Sequence, residues 1–248
     1  MRALILAAGY ATRLYPLTLD TPKHLLEIGG RPMVDWVIDR LEPLDGLDAV
    51  YLVTNAKFAP AFQDWVGARE GRPVTVIDDG TVNEDDRLGA IGDIGLVLDR
   101  ESIDDDDLLV VAGDNLFTGG IEGFVAEGRR RRQPVLAVYD VGDPDLMSQF
   151  NTIETDADGR ITYFEEKPER TRSTLAGIAL YWYPQSALPL IHRYLAEEEN
   201  HDQPGRLVEW LYPRVPVYAW ELPGEWYDIG TPEQLEAARA QFATNPAH

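Results

Sequence analysis

The stretch Leu6-Ala7-Ala8-Gly9-Tyr10-Ala11-Thr12-Arg13, followed by Lys23 in Thr21-Pro22-Lys23, decides the reading of this chain. An apolar run over residues 3–7 passes straight into a loop of small residues, whose backbone amides can come close to phosphate oxygens. Two fixed cations, Arg13 and Lys23, then follow within reach of one polyphosphate. Neither G-x-x-x-x-G-K-[ST] nor G-x-G-x-x-G is present, so by itself the stretch fits a plain strand-to-helix turn with two solvated cations equally well.

Working outward, residues 49–54, 74–77, 108–112 and 135–139 read as further strands, most of them apolar enough to be buried on both faces. Helices are expected between them over residues 32–41, 88–98 and 121–132, the last ending in a basic turn that suits a helix C-terminus. The first half is therefore expected to be α/β, with a mostly parallel central sheet flanked by helices. The second half reads as a smaller α+β part. Residues 152–154 and 161–165 flank an Asp-Ala-Asp-Gly turn as in a hairpin, and an apolar strand follows over residues 176–183. Thr231-Pro232-Glu233-Gln234 carries an N-cap, a proline at the first helical position and a glutamine to close a capping box, so a helix should run to about Phe242. One folded unit over residues 1–248 is expected, with 1–115 mainly nucleotide-binding and 116–248 mainly substrate-binding.

Three later stretches carry chemistry. The strand over residues 108–112 delivers Gly113-Asp114-Asn115 at its carboxyl end, where ligands collect in open α/β sheets, and Asp114 is a natural Mg²⁺ ligand as well as a common turn residue. Phe164-Glu165-Glu166-Lys167-Pro168 sets a carboxylate and an ammonium group side by side before a proline; a surface ion pair is the plainer reading. Glu225-Trp226-Tyr227-Asp228-Ile229-Gly230-Thr231 puts Asp228 ahead of a capped helix, where it can cap the helix or supply a second metal carboxylate.

In this order, and across nearly the whole chain, the four elements resemble the sugar-phosphate nucleotidyltransferase family, including the glucose-1-phosphate thymidylyl- and uridylyltransferases. The resemblance implies condensation of an NTP (dTTP, UTP or CTP) with a small phosphorylated substrate such as a sugar 1-phosphate, releasing pyrophosphate. It implies catalytic roles for Arg13 and Lys23 and nucleotide contacts from Ala7, Ala8, Gly9, Thr12, Asn83, Gly89 and Asp114. Substrate contacts would come from Asn151, Glu166, Lys167, Gly177 and Trp226, and Mg²⁺ would be held by Asp114 and Asp228. Two places depart from the glucose-1-phosphate pattern: Phe150-Asn151 stands for an aromatic-glycine pair, and Ile178-Ala179 for Thr-Gly. Both add bulk, which suggests a substrate other than glucose 1-phosphate, such as a polyol phosphate or phosphocholine taken by a cytidylyltransferase. Tyr10 and Ala11 likewise replace smaller residues in the phosphate turn. The chain ends soon after its last helix, which implies a single activity.

Composition narrows the field. A formal charge of -21 argues against a nucleic-acid surface, which needs a continuous basic patch. No cysteine is present, and the histidines (His24, His192, His201, His248) are scattered, so any metal is expected to be hard and oxygen-bound. Neither a leader peptide nor a run of ~20 apolar residues is found, so a cytoplasmic protein without a membrane segment is expected, as a monomer or small homo-oligomer. The acidic run 104–107 and the basic run 129–132 read as solvated features. Two rivals stay open. A sensor of the same fold would lack Arg13, Lys23 or a metal aspartate, whereas a glycosyltransferase would lack the early cations.

Overall fold

The computed structural model describes residues 1–243, so His248 lies outside the described residues. The chain opens with β1 (Arg2–Leu6), two short strands, β2 (Glu27–Ile28) and β3 (Arg31–Pro32), and helix α1 (Met33–Leu41). There follow β4 (Ala49–Thr54), α2 (Ala59–Ala68), β5 (Val74–Asp78), α3 (Ala90–Arg100), β6 (Leu108–Ala112) and β7 (Asn115–Phe117). Next come α4 (Glu122–Arg131), β8 (Val135–Asp140), the hairpin β9 (Asn151–Thr155) and β10 (Ile161–Glu166), and β11 (Leu175–Tyr183). The last elements are α5 (Leu188–Glu197), α6 (Pro204–Leu211), β12 (Tyr218–Glu221), β13 (Trp226–Asp228) and α7 (Pro232–Ala243).

A seven-stranded sheet runs β12-β8-β11-β6-β1-β4-β5. β1 pairs in parallel with β4 and β6, β4 with β5, and β12 with β8, whereas β11 is antiparallel to both β6 and β8. The sheet is therefore mostly parallel, as the apolar runs imply. β8, β11 and β12, all from the second half, extend the same sheet, whereas β9 with β10, and β13 with β7, form separate two-stranded sheets. β11 is apolar along most of its length because both its faces are covered, which periodicity alone cannot distinguish from a local hairpin strand.

Two layers of side chains cover the sheet. One face packs on α1, α2 and α4 through Val34, Val37, Phe62, Trp65 and Phe124; the other packs on α3, α5 and α6 through Ile91, Ile94, Ile191, Leu207 and Val208. A third cluster joins Leu14, Ile28, Met33, Trp36 and Leu116 to Ile229, Leu235 and Phe242. It matters for function, because it clamps the segment behind Arg13 and the segment behind Asp228 onto one wall.

Helix boundaries follow local chemistry. α3 starts two residues later than its apolar pattern suggests because Gly89 takes φ +77° and breaks the helix there. Thr231 caps α7 as expected, its Oγ1 accepting from Gln234 N at 3.3 Å, but Gln234 Oε1 accepts from Gly230 N at 2.8 Å. The capping box is thus displaced by one residue, and Gly230 is held beside the site. The charged runs are paired, not merely solvated. Asp106 meets the N-terminal ammonium at 3.0 Å, Asp107 Oδ1 accepts from Gln185 N at 2.9 Å, and Arg131 bridges Glu127 and Asp158.

α4 lies close on the sheet because Gly128 faces Trp182, and a β-carbon at Gly128 would drive into the buried indole. Gly128→Ala is therefore expected to lower stability by ~1–3 kcal/mol, the ordinary cost of overpacking, despite the better helix propensity of alanine. A denaturant midpoint equal to or above the parent's would contradict this packing.

Candidate active site

The carboxyl ends of β1, β5 and β6 open on one side of the sheet, beside the point where the strand order reverses, and that is where a cleft forms in such folds. A cleft of about 380 Å³ lies there, lined among others by Ala8, Gly9, His24, Arg87, Gly89 and Asp202; Arg13, Lys23 and Asp114 gather about Asp228 at one end, and Asp79, which follows β5 two strands beyond β1, lies with Asp93 towards the other.

The turn after β1 is held from behind. Ala7 N donates to Val53 O at 2.9 Å, Thr54 Oγ1 to Ala7 O at 3.2 Å and Asn55 Nδ2 to Ala8 O at 2.8 Å. A β-carbon on Gly9 would meet nothing of the protein within 4 Å, so the space before this turn is open to a ligand. The two residues that depart from the small-residue pattern do not obstruct it. Tyr10 is buried beside Phe58, its hydroxyl 3.4 Å from Thr81 Oγ1, and Ala11 takes the left-handed conformation (φ +50°) that the turn demands.

Lys23 is buried, and its ammonium group pairs with Asp114 and donates to Ile229 O at 2.8 Å. One side chain therefore ties the end of β6 to the segment after β13. Asp228 enters the same place because β13 pairs with β7 in a register that sets Asp228 opposite Asn115. Burial pushes Asp114 up, but Lys23 outweighs it and holds the carboxyl below its ordinary value. Asp228 is raised to about 6 by burial and by the charge of Asp114, with Lys23 and Arg13 opposing. His24 is buried beside Asp114; burial lowers it to about 4, so it is neutral at pH 7, and its Nδ1 has no partner in the protein.

A smaller cavity of about 230 Å³ adjoins this end, lined by Tyr139, Leu146, Phe150, Trp226 and Gln234, and it shares Asp228 with the cleft. The Trp226 ring lies 5.9 Å from Tyr139 and 5.3 Å from Phe150, and its Nε1 donates to Asn115 Oδ1 at 2.9 Å. The Gly-Asp-Asn sequence thus supplies a carboxylate to one chamber and orients an aromatic wall of the other.

Not every residue expected from sequence borders the cleft. Ala7 sits behind it, buried, Thr12 is exposed on the turn, and Asn83 caps a short turn by accepting from Asp85 N and Asp86 N. Asn151, Glu166, Lys167 and Gly177 lie along the β9–β10–β11 edge. The Asn151 amide is spent on Gly177, accepting from its N–H at 2.6 Å and donating to its carbonyl at 3.1 Å. Glu166 is buried against the first turn of α6, and burial raises it to about 7. Lys167 is exposed, in the left-handed conformation (φ +52°), with its N–H on Phe150 O. The crowding argument from Ile178 is corrected: its side chain belongs to the core on the far face of the sheet, and only Ala179 reaches the cleft.

Sequence reasoning missed His24, Asp79, Asp93, Arg87 and Asp202 at the cleft. Asp93 left a signal, because it falls on the helix face shared by Ala90 and Val97, where an amphipathic helix should be apolar. Burial, the charge of Asp79 and a hydrogen bond to it raise Asp93 to about 8. The sign follows directly. Native Asp93 keeps its proton where the unfolded chain has lost it, so this group removes stability as pH rises from about 4 towards 8. Asp93→Asn is therefore expected to be more stable than the parent, by roughly 2–4 kcal/mol more at pH 8 than at pH 5. Equal gains at both pH values in denaturant titrations would contradict a protonated native Asp93.

Comparison with known proteins bears on the family and the fold. A family model described as nucleotidyl transferase matches residues 2–245. The chain is 27% identical to the UTP–glucose-1-phosphate uridylyltransferase AglF of Haloferax volcanii, over 98% of this chain and 96% of that protein. It is 30% identical to the glucose-1-phosphate thymidylyltransferase of Mycolicibacterium smegmatis, over 95% of this chain and 80% of that one. Two longer curated relatives are spanned over 53% and 63% of their length. The solved structure of a UDP-glucose pyrophosphorylase complexed with UDP-glucose superposes with a TM-score of 0.83 at 20% identity, covering 98% of each chain, a likeness of fold. Among the described residues, no helix is long and apolar enough to cross a membrane.

Proposed function

The chain belongs to the nucleotidyl transferase family, and from that premise we propose that it condenses a nucleoside triphosphate with a sugar 1-phosphate, or a similar small phosphorylated substrate, to an NDP-sugar and pyrophosphate. The observation that carries this reading is the meeting of two cations and two carboxylates where the two chambers join. Lys23 pairs with Asp114 and reaches the carbonyl next to Asp228, and Arg13 lines the same end below the open glycine turn. Two anionic substrates can meet there only if fixed cations offset their repulsion.

The residues present fit a divalent cation. Asp114 and Asp228 face each other closely enough for one to raise the other, a repulsion that a hard cation relieves. No cluster of three or more ligating side chains is found among the described residues. That suits Mg²⁺, which commonly takes one or two carboxylates and completes its shell with phosphate oxygens and water. Asp114 and Asp228 would hold it, and when bound it would neutralise charge on the reacting phosphate.

The protein's own groups do the rest by position and charge. Arg13 steadies the phosphates that leave as pyrophosphate, and Lys23 neutralises the reacting α-phosphate region. Lys167, exposed just after β10, is the cation offered to the incoming phosphate. Trp226 with Phe150 and Tyr139 forms the apolar wall for the organic part. Bond making and bond breaking are in line at the α-phosphorus: the incoming phosphate oxygen bonds to it as the bond to pyrophosphate breaks.

The second substrate is tested by steady-state turnover of a panel: hexose 1-phosphates, glycerol phosphate, inositol phosphate and phosphocholine. Turnover confined to one or more hexose 1-phosphates is the expected result. Turnover of phosphocholine or a polyol phosphate alone would move the assignment to a non-hexose phosphate.

A further inference from the structure

Resting on the reading of the cleft as a nucleoside triphosphate site, we propose that the carboxyl pair Asp79–Asp93 reads the base, and that it selects a base with an exocyclic amino group over uracil and thymine. The cleft is polar end to end. Lys23 and Arg13 lie by Asp114 and Asp228 at one end, whereas Asp79 follows β5, which β1 and β4 separate from β6 and Asp114, and Asp93 is bonded to Asp79 at the other. A triphosphate can occupy only the first end, which leaves the neutral base against the carboxyl pair. Arg87, the cation lining the acidic end, is already engaged by Glu84 at 3.1 Å and by Asp202 at 3.2 Å.

Two backbone amides at the start of α3 are spent as well: Ile91 N donates to His201 O at 2.8 Å and Ala90 N to Asp202 O at 3.4 Å. Asp79 Oδ1 accepts from Thr81 N and from Thr81 Oγ1, each at 2.7 Å. Asp93 is only 4% exposed and borders the cleft, yet its Oδ1 has no partner in the protein. A buried acceptor without a donor is costly, and whatever ends that cost must bring an N–H. Because Asp93 holds its proton against Asp79 at neutral pH, the pair carries one negative charge, and the unpartnered Asp93 Oδ1 remains an acceptor. Uracil and thymine offer one N3–H flanked by two carbonyl oxygens, which the pair repels. An amino group on cytosine, adenine or guanine offers N–H donors without that flanking pair.

Binding of CTP, ATP, GTP, UTP and dTTP is compared by calorimetry without a second substrate, so the result is independent of turnover. At least one amino-bearing nucleotide is expected to bind about tenfold or more tighter than UTP and dTTP, the weight of a hydrogen bond to a charged group. Asp93→Asn, whose amide can face a carbonyl, is expected to bring these affinities within about threefold of one another, and Asp79→Asn to do the same. UTP or dTTP binding the parent protein as tightly as every amino-bearing nucleotide overturns the proposal and leaves the nucleotide site standing. Undiminished selectivity in both variants also overturns it. Absence of binding by all five nucleotides overturns the nucleotide site together with this proposal.

Discussion

Lys23→Ala is expected to lower pyrophosphate release by about 10²–10³-fold and to destabilise the fold by roughly 3–5 kcal/mol. Both effects come from one position. Lys23 is the buried cation that offsets Asp114 and bonds the carbonyl beside Asp228, so its removal leaves two buried carboxylates facing each other. The same ammonium group is the one best placed for the reacting phosphate. Lys23→Arg separates the two roles. A guanidinium keeps the charge but not the compact shape, so much of the stability should return while the rate stays low. Denaturant titration and a pyrophosphate assay on both variants make the check, and an active Lys23→Ala protein would remove Lys23 from the chemistry.

The second large effect has the opposite sign for stability. Asp228→Asn is expected to cut turnover by about 10²–10³-fold while raising the stability of the ligand-free protein by roughly 1–3 kcal/mol at pH 7. At that pH the native protein pays for an ionised Asp228 whose carboxyl is raised to about 6 by burial and by Asp114, and the amide abolishes this penalty. A purely structural aspartate would lose stability on the same substitution. Mg²⁺ should raise the melting temperature of the parent and have little effect on the variant. An Asp228→Asn protein that is both less stable and fully active would show that the aspartate is structural.

Much of this architecture was legible in the chain. The alternation of buried strands and amphipathic helices points to the sheet, and three of the four short motifs point to Arg13, Lys23, Asp114 and Asp228, which do converge. What stayed hidden depends on long-range pairing. Nothing in the local pattern says that β11 inserts antiparallel between β6 and β8, because a strand buried on both faces looks alike in either direction. The side chain of Ile178 could not be assigned to a face without that register. In the sequence His24 is one of several scattered histidines, and only the fold brings it to Asp114. Asn83, expected near the base from the resemblance, caps a short turn by accepting from Asp85 N and Asp86 N, a local role that the resemblance does not reveal.

The most direct measurement of the central claim is ³¹P NMR of the protein with Mg²⁺, a nucleoside triphosphate and a sugar 1-phosphate, with Asp114→Ala as the control. Stoichiometric growth of pyrophosphate and a nucleoside diphosphate ester, requiring both substrates and lost in Asp114→Ala, is the predicted result. Orthophosphate in place of pyrophosphate, or pyrophosphate formed at the same rate by Asp114→Ala, would contradict it.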